Sequence, residues 1–73
     1  MPVYNITHID GSQQQFRAQR LSRHHGRIHF EDRRADTWVT SLTLPVDDVA
    51  DVRQRVTELN GFRRWGTARV IDR

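Results

Sequence analysis

Arginine carries most of the chemistry this chain can offer. All 12 of its positive side chains are Arg and none is Lys. A guanidinium presents a planar fork to carboxylate or phosphate and stacks on aromatic rings. The arginines are unevenly placed. Gly11 to Phe30 holds four Arg, three His and no acid, Val46 to Gly61 four acids against two Arg, and Phe62 to Arg73 four Arg against one Asp. Arg17 lies between Gln15 and Gln19, opposite in strand phase to Phe16 and Ala18. Arg20, Arg23 and Arg27 gather around His24-His25-Gly26, and Arg63 and Arg64 stand between Phe62 and Trp65. Basic residues interleaved with aromatics suit single-stranded nucleic acid, with charge along the backbone and rings for stacking. Arg, Trp and Tyr are also enriched where protein interfaces concentrate their binding energy. The candidate binding residues are therefore Arg17, Arg20, Arg23, Arg27, Arg63, Arg64 and Trp65. Two plainer readings stand beside this one. Arg without Lys follows from a coding sequence rich in G and C, and Phe62 and Trp65 could cap the core.

Other chemistries find less support. His8, His24, His25 and His29 suggest a metal, and His25 and His29 have the four-residue spacing of a helical ligand pair. Here that spacing spans a turn and a strand, and there is no Cys to complete a structural site. No metal and no cofactor is expected. Ser12, Ser22 and Ser41 fall in or near turns and in a strand, without a glycine-rich elbow or a phosphate loop around them. Asp47, Asp48 and Asp51 resemble a carboxylate pair but read better as partners of a helix start. The chain is not expected to be an enzyme.

The elements that would position these residues follow from periodicity. The stretch Pro45 to Gly61 predicts an α-helix. Val49, Val52, Val56 and Leu59 are spaced by three, four and three residues, which places them on one helical face. Asp47, Asp51, Gln54 and Glu58 fall on the other. Pro45 suits a helix start and Asn60-Gly61 a left-handed stop. Val3 to Asp10, Gln14 to Arg23, Arg27 to Asp32 and Thr37 to Leu44 alternate as strands. Turns are expected at Asp10-Gly11-Ser12 and His24-His25-Gly26, and a polar loop at Arg33 to Asp36. Leu21 is out of phase with Phe16 and Ala18, which predicts a β-bulge near Gln19-Arg20 or a strand that changes sheets. Trp38, Thr40, Leu42 and Leu44 are expected on one face. Residues 62–73 offer either a fifth strand or a tail that orders on binding.

The expected architecture is α+β: one domain over 1–73, with a small antiparallel sheet of four or five strands and one helix packed on it. The alternative is a small SH3-like or Sm-like barrel, which the length of the helix argues against. At 73 residues the chain buries only about 60% of its unfolded surface, so a second copy is a reasonable source of stability. No apolar run approaches the roughly 18 residues of a membrane span, and the N-terminus lacks a signal pattern. A cytoplasmic location is expected, and no membrane contact.

The net charge is +3, with a basic strand surface and tail beside an acidic helix face. In size, Arg usage and lack of motifs the chain is similar to small accessory proteins of phages and mobile elements of high-GC bacteria, many of which inhibit a host machine. The functional expectation is a non-catalytic regulatory or inhibitory protein that docks on a protein or nucleoprotein through its Arg-rich surface, with a homodimer as one form. The alternative is a sequence-tolerant nucleic-acid-binding protein that uses strand and tail Arg with the aromatics.

Overall fold

The computed structural model describes residues 2–73. Eight strands run in order: β1 Val3–His8, β2 Gln13–Arg17, β3 Arg20–His24, β4 Arg27–Arg34, β5 Thr37–Pro45, β6 Val49–Thr57, β7 Arg63–Thr67 and β8 Val70–Asp72. A single 3-10 turn, Val46–Asp48, joins β5 to β6. The strands form two four-stranded sheets, ordered β2-β1-β6-β7 and β5-β4-β3-β8. Pairing is antiparallel except between β3 and β8. The core lies between the sheets. Phe30 is at its centre, with Tyr4 at 5.7 Å and Phe16 at 5.5 Å between ring centres, both edge-on. Ile6, Ala18, Leu21 and Ile28 complete the buried cluster, and burial pushes the ionisation of the Tyr4 hydroxyl up.

The expected helix is absent, so the α+β layout is corrected to a nearly all-β one. No α-helix occurs among the described residues. The length of that helix was also the ground for setting the barrel aside; the arrangement observed is two sheets of four strands. The reason lies in a bulge. In the β1–β6 ladder Thr7 pairs with Asp51 but His8 pairs with Val49, which leaves Ala50 as the extra residue. A bulge of one residue turns a spacing of three into a shared face. Val49 and Val52 thus point to the same core without a helical turn between them, and both pack against it. Val56 follows Val52 at an even spacing, which a strand satisfies as well as a helix does. Three valines and Thr57 then favour the extended form, because their branched side chains are stiff at the first torsion. Leu59, the fourth member of the supposed stripe, is fully exposed. Asn60-Gly61 does terminate an element, but as the hairpin turn between β6 and β7. Gly61 has φ +89°, and the Asn60 side chain accepts from the Phe62 amide at 3.1 Å.

Two further features have local causes: the change of sheet, which was one of the two alternatives expected near Gln19-Arg20, and a departure in β5. β2 and β3 belong to different sheets: the chain crosses at Ala18-Gln19, where the Gln19 amide donates to the Glu31 carbonyl at 3.0 Å. The change of sheet resets the alternation, so Leu21 faces the core although it is out of phase with Phe16. In β5 a second bulge at Ser41 splits the face expected for Trp38, Thr40, Leu42 and Leu44. Leu42 pairs with Phe30 and Thr40 with Glu31. Leu42 and Leu44 pack on the core, whereas Trp38 stands on the opposite, outer face. The expected polar loop is shorter than read, since β4 continues to Arg34. Residues 62–73 hold two strands, β7 and β8, and Phe62 is 71% exposed, so it does not cap the core.

Candidate binding surface

Alternation gives each sheet an inner and an outer face, and this sorts the candidate arginines. On the first sheet Tyr4, Ile6 and Val52 look into the core, so Val3, Asn5, Thr7, Arg53 and Arg55 look out. The ladders then align rows across the outer face. Arg17 pairs with Val3, and Arg55 pairs with Trp65. Val3 stands one step beyond the Tyr4–Gln54 pair and so lies beside Arg55. The row reads Arg17, Val3, Arg55, Trp65. The next row reads Gln15, Asn5, Arg53, Thr67, and Arg63 follows Trp65 on the same side of β7.

Three of the residues singled out in sequence therefore share a surface: Arg17, Arg63 and Trp65. Arg55 and Arg53 join them; reading β6 as a helix hid both. Alternation along Val49–Thr57 was the available signal. Arg53 donates to Asp51 at 2.7 Å. Arg17, Arg55 and Arg63 have no acidic partner within 4 Å among the described residues. Trp65 is 39% exposed.

The other candidates lie elsewhere. Arg64 falls on the inner side of β7, paired in register with Val56, and its Nε bonds the Glu58 carboxylate. Arg23 is tied to Asp72 of β8 at 2.7 Å. Arg27 is exposed at the start of β4, opposite Pro45. Arg20 is on the outer face of the second sheet, where Nε donates to Glu31 at 2.9 Å and the guanidinium lies 3.6 Å from the centre of the Trp38 ring. Gly11 to Phe30 contains no acid, yet folding supplies Glu31 and Asp72 to two of its four arginines.

Glu31 anchors this second cluster. It is 6% exposed, and Arg73 reaches it at 3.5 Å. Burial pushes its carboxyl up, but hydrogen bonds from Ser22 and Arg20 and the charges of Arg20 and Arg73 outweigh that and hold it below the usual carboxylate value. A concavity of about 300 Å³ lies over it, lined by Ser22, His24, His29, Glu31, Thr40 and Arg73. Ser22 is 1% exposed and gives its hydrogen bond to Glu31 rather than to a histidine. His29 is engaged through Nδ1 with the Thr43 hydroxyl at 3.1 Å. Glu31 is engaged by Arg20 and Arg73, so this cluster reads as a clamp that holds β8 and the final residues to the sheet. Among the described residues no group of three or more His, Asp or Glu is arranged to hold a metal ion. No described helix is long and apolar enough to cross a membrane.

Comparison with protein-family models, with curated proteins and with solved structures finds no match to this chain.

Proposed function

We propose that the chain is a non-catalytic regulatory or inhibitory module that docks on a protein or nucleoprotein partner through the outer face of its first sheet. The observation that supports this most strongly is the row Arg17, Val3, Arg55, Trp65, in which both guanidinium groups lack an acidic partner among the described residues. Unpaired guanidinium groups attract carboxylate or phosphate through paired N–H bonds. The absence of Cys suits action in a reducing compartment, and the cytoplasm is the proposed location.

A homodimer belongs to this reading because of β5. It is a nine-residue edge strand, TWVTSLTLP, with no charged side chain. Edges that avoid pairing usually carry charge or are short.

The test is affinity capture from the native source with the wild type and with Arg17→Glu/Arg55→Glu, both checked for folding by circular dichroism. The wild type should retain a partner that moderate salt releases, and the double variant should lose it. A partner retained equally by both would place docking on another surface.

A further inference from the structure

We infer that the outer face of the first sheet is a platform for single-stranded nucleic acid, with Arg17, Arg55 and Arg63 on the phosphates and Trp65 stacking on a base. This rests on the docking face proposed above and names the chemistry it takes.

Charge is the first argument. β2, β1 and β7 present no acid on this face. Asp51 of β6 is the one carboxylate in its rows, and Arg53 already holds it at 2.7 Å. A chain of phosphates laid across the sheet meets three free guanidinium groups and no free acid.

Composition is the second. A protein interface puts a desolvated apolar centre inside a polar rim. Here the centre is made of amides and hydroxyls, from Asn5, Gln15, Thr7 and Thr67, and the aliphatic Val3 between Arg17 and Arg55 is itself buried. Such a surface offers hydrogen bonds to bases, sugars and phosphates but no apolar pocket for a partner's side chain.

The aromatic rings are the third. Trp38 on the far sheet is covered by the Arg20 guanidinium at 3.6 Å, with Arg33 at 5.7 Å. Trp65 has no ring or guanidinium over it among the described residues, and it stands directly opposite Arg55 in the ladder. Phe62, 71% exposed at the hairpin end, is in phase with Arg64 rather than Trp65, so Trp65 is the aromatic ring of this face. An uncovered indole beside free guanidinium groups is the pairing that takes bases together with backbone. The shape favours single strands. Four strands at about 4.8 Å make a face about 14 Å wide, broader than the roughly 12 Å major groove.

The experiment is fluorescence anisotropy with labelled 15-mer dT, 15-mer rU and a 15-base-pair duplex at 50 and 200 mM salt, with heparin as a polyanion that has no bases. Three arginine–phosphate contacts predict an affinity for the single strands that falls about 20-fold between the two salt concentrations. The duplex should bind at least ten-fold more weakly. Arg55→Glu/Arg63→Glu should weaken single-strand binding at least ten-fold, and Trp65→Ala about five-fold or more, with Trp65→Phe restoring most of the loss. Arg33→Glu/Arg34→Glu makes the same charge change on the second sheet and should alter binding less than three-fold. Circular dichroism checks every variant. Should Arg55→Glu not fold, Arg17→Ala/Arg63→Ala, both at exposed positions, give the same readout. Failure of the oligonucleotides to bind overturns the inference. So does heparin binding that matches theirs while Trp65→Ala has no effect; in that case the face is an electrostatic dock and the proposed function stands. If the Arg33/Arg34 variant weakens binding as much as the Arg55/Arg63 variant, net charge is responsible and both readings fall.

Discussion

The Nε of Arg20 donates to the Glu31 carboxylate over 2.9 Å, across the β3–β4 register pair that the two residues form. This contact divides the basic residues of the chain into those folding has committed and those it leaves free. Loss of the sole partner of a fully buried charge costs up to about 3–5 kcal/mol; Glu31 is nearly buried, but Ser22 and Arg73 still hold it when Arg20 is removed. Arg20 keeps 22% of its side chain exposed, which lowers the expectation. Arg20→Ala should cost about 2–3 kcal/mol in urea denaturation. Arg23→Ala, which breaks an exposed pair with Asp72, should cost less than about 1 kcal/mol. Equal losses would mean that the Arg20–Glu31 pair is no more than a surface contact.

Acid should find the same carboxylate. The Glu31 pKa is lower in the folded protein than in the unfolded chain, so the unfolded state takes up its proton first as pH falls. The stability it contributes is complete above the unfolded carboxyl pKa of about 4.3 and is lost as pH drops through the folded value. Wild type should therefore lose stability below about pH 4.3 more steeply than Glu31→Gln, which should already be less stable at pH 7. Urea midpoints at several pH values check this; parallel curves would remove Glu31 from the account.

The strand at Val49–Thr57 makes a direct prediction. The backbone spectrum of the protein should show cross-strand contacts between Ile6 and Val52 and between Tyr4 and Gln54, and circular dichroism should lack the helical double minimum. Val52→Asp should unfold the domain or cost several kcal/mol, because it buries a carboxylate against the core. Leu59→Asp should be nearly silent, since Leu59 is fully exposed. A helix over the same residues would make both substitutions comparably harmful.

The positions of β1 and β4 were legible because their alternation is regular, and that of β5 because it is rich in β-formers; the turns around them carry Gly or Asp. His24-His25-Gly26 is such a case, with positive φ at both central residues, 52° and 72°. The β6 strand was not legible, because the bulge at Ala50 gives Val49 and Val52 the spacing of a helical face. The same kind of insertion at Ser41 moved Trp38 from the core to the outer face. For the site, Arg17, Arg63 and Trp65 could be nominated from composition, but their meeting on one face depends on strand order. The pairing of Arg23 with Asp72 spans 49 residues, and no local charge count could reveal it.

β5 carries the prediction about self-association. Sedimentation should show a concentration-dependent dimer, and Val39→Lys, at an exposed position of this edge, should shift it to monomer without unfolding it. A wild type that stays monomeric at high concentration would remove the dimer from the proposal.

The central claim is that the outer face of the first sheet meets the partner, and site-specific photo-cross-linking tests it most directly. A benzophenone-bearing residue replaces Thr67, in the row of Arg53, or Thr40, on the outer face of the second sheet beside Glu31. The account predicts partner adducts from position 67 that disappear in the Arg55→Glu background, and none from position 40. Adducts from position 40 alone would contradict it and move the binding surface to the face built around Glu31.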